Sequence, residues 1–598
     1  MKKSILLPIL IMTFNNNFAQ LHIATDDYVY VSHDFLYVKE ETSLDGNLYL
    51  RNEAQLLQAD DTSLSLNRGL GILSVYQEGT SDNYEYNYWC APVGNQNVYG
   101  SGNKNFWINM FYQPTSAIES TPAIVINHDI DGMDGVANPL SIADRWIYRL
   151  NSSSYYFQIA DTSSGIQMAP GEGFTMKGTA GSDSLEVLGV PNNPGSNQRY
   201  DFRGSPNNGE ITATLYGGYS VLTGNPYPSA IDLSMFLTDA DACSGIAYFW
   251  EMDENANTHI ESDYVGGYGT FAPVSRGGTG IYVPAVYTPF LGGSTPDHHY
   301  ERRFSPIGQG FIIERISEGF GEITMKNIYR VFVPEGAENQ SEFERSTTGN
   351  SGFLPKIQSI SGFDYAKVSK AAVPQVRLTT TINGKWVRET ALAFDENASD
   401  AVDHAMDARL YDKYPADSYF VIGRDKKEYV VDVMTFDIHK KIPIGFRNAA
   451  TTKFEVSVKG LLNLSNIETV YLHDKKTRQY FDISKKPFKI TLPRGVNNSQ
   501  YELTFENDTV LRANPLTKKS IAIMHDNSSK NAVVQNKSNL ALENLTLFDL
   551  NGKMILTKKL GSDDSYELST SNLADGVYIA RLTDALGNEF SKKINVKN

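Results

Sequence analysis

The chain is written in short runs of alternating apolar and polar residues, and few stretches hold a helical spacing for long. A period of two places one set of side chains on a core and the other in water, so it demands strands and sheets. Between 20 and 75 the runs are YVYVSH, FLYVKE, GNLYLRN, AQLLQAD and SLSLN, with polar breaks every eight to twelve residues. Rungs this regular fit either the start of a β-solenoid or one sheet of a sandwich. The 34 Tyr and 47 Gly agree with a mainly β, multi-domain chain of sandwich-like modules. At 598 residues the chain is too long for one core.

Residues 76–335 read as a tandem duplication. Trp89-Cys90-Ala91-Pro92-Val93-Gly94 is answered by Gly224-Asn225-Pro226-Tyr227-Pro228, and Pro170-Gly171-Glu172-Gly173-Phe174 by Pro306-Ile307-Gly308-Gln309-Gly310-Phe311. The offsets are 134 from Pro92 to Pro226 and 137 from Phe174 to Phe311. That divides the stretch into a module at 76–205 and a related one at 206–335. The four glycines suit positive φ at a turn into a strand, and Phe174 and Phe311 suit anchors for their own cores. A Pro-, Gly- and Ser-rich stretch at 336–370 reads as a linker. Beyond it, 371–505 reads as an immunoglobulin-like β-sandwich, with a hairpin turn at Asn383-Gly384 and one short helix over 398–411 capped by Ser399. A second linker is expected at 506–519. The pieces YNYWCAPVG, GNPYPSAID and IGQGFII resemble segments of large surface proteins of Bacteroidota.

The last stretch carries the most specific pattern. LTLFDLNGKMI, then LADGVYIARLTD, then KKINVKN at the terminus are three β-prone pieces separated by the turn pairs Asn551-Gly552, Asp575-Gly576 and Gly587-Asn588. In order and spacing they resemble the type A C-terminal sorting domain of proteins exported by the type IX secretion system of Bacteroidota. The resemblance covers about 518–598 and implies an immunoglobulin-like domain at 520–598, recognition by the secretion machinery, removal by a sorting protease, and a cargo released or attached at the outer surface. The residues it assigns to the signal are Gly576, Val577, Tyr578, Lys592, Lys593 and Val596. The other end agrees: Lys2-Lys3, an apolar run over 4–14 and Phe18-Ala19-Gln20 read as a signal peptide at 1–19. No Cys follows the cut to accept a lipid, and no apolar run approaches the length needed to cross a bilayer.

Net charge is −16; residues 518–598 hold eleven Lys/Arg against nine Asp/Glu, which leaves −18 on what precedes them. Such acidity excludes nucleic acid as a natural partner. No G-x-S-x-G elbow, H-E-x-x-H helix or phosphate loop is found. No cofactor motif is found either, and calcium is the one ion with a suggestive loop, His128-Asp129-Ile130-Asp131-Gly132-Met133-Asp134. Asp129, Asp131 and Asp134 converge oxygens there, or the loop is a solvated Asp-Gly turn. Tyr84, Tyr86, Tyr88 and Trp89 either stack on a sugar ring or form one packed sheet face. His298-His299 reads as a surface turn, and Cys90 and Cys243 either pair or stay separate buried thiols. The expectation is a secreted or cell-surface binding or adhesion protein for a glycan or cell-surface ligand, leaning away from enzyme. The competing reading is a polysaccharide hydrolase whose two carboxylates only the fold would bring together.

Overall fold

The computed structural model describes residues 20–598 except 60–63, 128–132, 160–164, 253–256, 287–301, 336–355, 370, 413, 424–426, 465–466, 508–520, 538–539, 551 and 585–588. Contacts divide the chain into two compact units, Met1–Phe505 and Glu506–Asn598. Both are mainly β.

The first unit starts as a solenoid. Leu21 faces Thr42, Tyr28 faces Asn47 and Phe35 faces Gln55, all in parallel register, so each coil lies over the next at offsets of 21, 19 and 20 residues. Asn47–Arg51 then pairs in parallel with Leu73–Glu78, and the sheet continues through Arg199–Pro206 and Phe111–Pro114 to Ser120–Pro122. It thus crosses position 75 without a break. Its inner face supplies Leu48, Leu50, Leu73, Val75, Phe111 and Phe202 to a core that also holds Trp89, Phe106 and Phe174.

The next strands repeat one pairing scheme. In the first copy Leu73–Glu78 pairs with Arg199–Pro206 and Tyr86–Cys90 with Gly173–Lys177. In the second, Ile211–Tyr216 pairs with Phe320–Met325 and Ser220–Gly224 with Gly310–Glu314. Cys90 stands opposite Gly173 as Gly224 stands opposite Gly310. The copies are also joined: the Cys90 amide donates to the Gly308 carbonyl at 2.8 Å, and that of Leu222 to the Leu150 carbonyl at 2.7 Å. One α-helix, Leu233–Asp239, was not expected; Asp232 caps it by accepting from the Met235 amide at 3.0 Å. Of the expected linker, residues 356–369 pack on the second copy, where the buried Tyr365 donates to Asp232 at 2.8 Å. Cys90 and Cys243 are separate buried thiols.

Over 375–504 the structure corrects the expected immunoglobulin-like sandwich, which needs two sheets, to a single sheet of eleven strands running from Gln479–Asp482 at one end to Phe488–Leu492 at the other. It curls until those ends meet, with the Phe481 and Phe488 rings 4.6 Å apart. The hairpin turn passes through Asn383 and Gly384 at φ 54° and 65°. Residues 398–411 correct the sequence reading, because they form turns and the short strand Ala408–Arg409 in place of a helix. Asp395 accepts from the Asn397 amide, Asp403 from Ser399 and Asp407 from the Asp403 amide. These local bonds offer the amides a cheaper partner than a carbonyl one turn back.

The second unit is a two-sheet sandwich. Ile521–Asp526, Asn531–Asn536 and Ser565–Ser569 form one sheet. Met554–Lys559, Leu542–Phe548, Gly576–Asp584 and Glu589–Val596 form the other, all neighbours antiparallel. Ile523, Val534, Leu545, Leu547, Leu582 and Ile594 fill the space between them.

Candidate functional site

Asp129, Asp131, His298 and His299 lie outside the described residues, as does the Gly587-Asn588 turn. Tyr88 and Trp89 are buried, while Tyr84 and Tyr86 are half-buried. Among the described residues no three His, Cys, Asp or Glu side chains are placed to hold a metal ion.

Asp134, Tyr84 and Tyr86 come together around a lysine that the sequence did not single out. Lys177 ends the strand Gly173–Lys177 directly opposite Tyr86, which sets its side chain on the same face as that ring. Its Nζ lies 4.0 Å from the centre of the Trp146 ring, 4.9 Å from Tyr264 and 5.0 Å from Tyr86. The ammonium donates to the Tyr264 hydroxyl at 2.8 Å and to His259 Nδ1 at 3.2 Å. His259 Nε2 meets the Asp134 carboxylate at 2.9 Å, and Asn83 donates to the same oxygen at 3.0 Å. The imidazole is sandwiched by Trp146, stacked at 5.3 Å, and Tyr84 at 4.7 Å. Trp146 is held by its own Nε1, which donates to the Met133 carbonyl at 2.7 Å.

Electrically the site is a desolvated cation in a ring of π faces. Lys177 is only 4 % exposed, and burial lowers its pKa to about 8, with Asp134, Asp82 and Glu85 pulling the other way. Burial and then the neighbouring Lys177 also lower His259, so its imidazole stays neutral near pH 7. Asp134, His259, Lys177 and Tyr264 form one hydrogen-bonded chain. A carboxylate that orients an imidazole is the arrangement general base chemistry uses. Here the free nitrogen of that imidazole is taken up by Lys177.

Deeper in, Tyr88, Tyr156 and Tyr268 close a triangle of hydroxyls at 2.8, 3.0 and 2.8 Å, with Trp250 stacked parallel to Tyr88. Of the alternating tyrosines of YEYNYW, Tyr88 therefore has its hydroxyl satisfied inside the fold, while Tyr86 meets the Trp146 and Tyr264 rings and Tyr84 the His259 ring. Lys177, Trp146 and the His259–Tyr264 segment are not legible as one site in the sequence because they lie 31 to 118 residues apart in the chain. The one visible signal was Lys177 itself, a charge at the end of an otherwise apolar run.

In the second unit the residues expected to carry the sorting signal share one end of one strand pair. Gly576 faces Val596, Val577 faces Asn595, and Tyr578 faces Ile594, while Lys592 and Lys593 are exposed on the return strand. Asn598 ties that end down by donating to the Thr570 and Leu573 carbonyls at 2.7 and 2.8 Å.

Comparison with known proteins adds identity at both units. Residues 527–597 match the secretion system C-terminal sorting domain. The chain is thereby a type IX secretion cargo, exported to the cell surface or the extracellular space. None of the described helices is long and apolar enough to cross a membrane. No curated protein matches the chain. Among solved structures, a biofilm associated protein BSP domain aligns at 10% identity with a TM-score of 0.11, covering 90% of this chain and 97% of that one, a likeness too low to carry an argument. Residues 3–505 match a domain of unknown function, DUF8693, and by that match over most of its length the chain belongs to the DUF8693 family.

Proposed function

We propose that the exported chain acts by contact and not by catalysis, as a binding or adhesion protein whose β-modules meet a glycan or another cell-surface ligand. One observation carries this reading: the best-assembled polar cluster, Asp134–His259–Lys177–Tyr264, is closed on itself and leaves its amine 4 % exposed. A catalytic centre needs a nucleophile or base within reach of a substrate atom. Export to the surface suits a protein of this kind. The competing reading, an extracellular hydrolase, draws its support from the same His259–Asp134 pair. A glycan array run beside a panel of polysaccharide-cleavage assays separates them. Binding without turnover is expected; turnover that Asp134→Asn or His259→Ala abolishes would overturn the proposal.

A further inference from the structure

The ribbon formed by Ile211–Tyr216 and Phe320–Met325 has two unlike faces. Ile211, Leu215, Ile323 and Met325 are buried in the core of the second copy. Outward, the register places Thr212 beside Thr324, Thr214 beside Glu322, and Tyr216 beside Phe320. Thr212 and Thr324 touch through their hydroxyls at 3.1 Å. Tyr216 is 53% exposed and Phe320 70%, with Tyr219 at 44% three residues on; Tyr155, at 75%, comes from a separate loop.

The tip that carries these rings is built, not loose. The Gly217 amide donates to the Gly319 carbonyl at 2.7 Å, Gly218 to Arg315 at 2.8 Å, and Arg315 to Tyr219 at 3.1 Å. Gly218 and Gly319 both take φ of 78°, which a side chain would resist. On the outer edge Ser152 Oγ donates to the Thr214 carbonyl at 2.9 Å, and the Ser153 amide donates to the Ser220 carbonyl at 3.2 Å. The Tyr155 loop is thereby fixed beside Tyr216. Large rings held in water on a rigid tip mark a contact surface.

We propose that this face is a platform for an extended chain of neutral polysaccharide. The proposal rests on the reading that the exported protein acts by binding, and it names the surface and the ligand class. A pyranose ring has an apolar C–H face and a rim of hydroxyls; flat Tyr and Phe rings match the first, while Thr hydroxyls and a carboxylate match the second. Side chains of one face recur about every 7 Å along a strand, so the ladder offers successive contacts to a long ligand, not a pocket for one sugar. Charge selects among occupants. Glu322 and Glu318 are acidic, and the chain carries −16, which repels acidic glycans and anionic headgroups. The nearby cations are engaged: Lys326 pairs with Glu210 at 3.6 Å, and Arg315 donates to the Ala242 and Glu318 carbonyls. A second copy laid on the same face would oppose Glu322 to itself.

The test uses the full chain with insoluble cellulose, chitin and xylan, soluble laminarin, and phosphatidylglycerol vesicles as probes. At least one neutral polysaccharide is expected to retain the protein. The pair Tyr216→Ala and Phe320→Ala should weaken that retention at least about tenfold, and Tyr216→Phe with Phe320→Tyr should keep it. Both rings are exposed, so an unchanged melting curve separates loss of contact from loss of fold. Retention that survives the alanine pair overturns this surface while leaving the binding reading intact. Capture by vesicles alone, a change in oligomeric state alone, or no retention by any neutral polysaccharide overturns the proposal as well.

Discussion

Phe174 and Phe311 are each the second residue of a strand, with nothing of the ring exposed, and each packs in the core of its own copy. Phe174 packs with Phe106 and Phe111 at 6.3 Å each. Phe174→Ala removes a buried ring that cannot be replaced by water, so it should cost ~3–5 kcal/mol, read as a lower unfolding midpoint in denaturant. The glycines before the rings divide into two kinds. Gly171 and Gly308 have φ of 77° and 79°, as the turn into a strand required, whereas Gly173 and Gly310 are needed for close approach. Lys177 gives a pH signature. Its folded pKa of about 8 lies below the ordinary lysine value of about 10.4, so between those values the unfolded chain binds more protons and stability rises with pH. Lys177→Met should flatten that rise between pH 8 and 10 in melting curves. An identical slope in the variant would show that the amine is solvated in the fold.

At the scale of elements, the alternation of apolar and polar residues identified strands well and their partners poorly. YVYVS and NLYLR each read as a strand, but period two is the same whether the neighbour is parallel or antiparallel, and only the structure separates a solenoid coil from a sandwich sheet. The same limit hides the Lys177 cluster, whose members come from a strand, a 3-10 turn and separate loops. The 398–411 error has another cause: apolar residues at helical spacing were outbid by Asp395, Asp403 and Asp407, whose carboxylates bind nearby amides. The helix Leu233–Asp239 is absent from the sequence reading because Asp232 before an apolar run is a weak signal and its seven residues are too few to stand out. The join between the copies supplies a prediction. A Cβ on Gly310 would meet the backbone of Tyr88 and Trp89 at 2.7 and 2.8 Å, and backbone on a paired strand has nowhere to move. Gly310→Ala should therefore destabilise the first unit by about 1–3 kcal/mol. Gly384→Ala, where nothing lies within 4 Å, should act only through its φ of 65°.

For the whole molecule, the longest-range features of the sequence proved the most legible. The three pieces at the C-terminus lie on neighbouring antiparallel strands of one small sandwich, and that unit matches the sorting domain. The two motif offsets, 134 and 137, correspond to strand pairs in matching register. Division of the remainder into folding units at 76, 205 and 335 stands as a proposal, since a sheet crosses 75 and hydrogen bonds join the copies. The C-terminal unit supplies the address of an exported protein, and the first unit is the cargo it carries. The most direct measurement is fractionation of cells expressing the full chain or a chain ending at Phe505, with the protein located in periplasm, outer surface or medium. The full chain is predicted at the surface or in the medium, and the shortened chain in the periplasm. A shortened chain found outside in the same proportion as the full one would contradict the account.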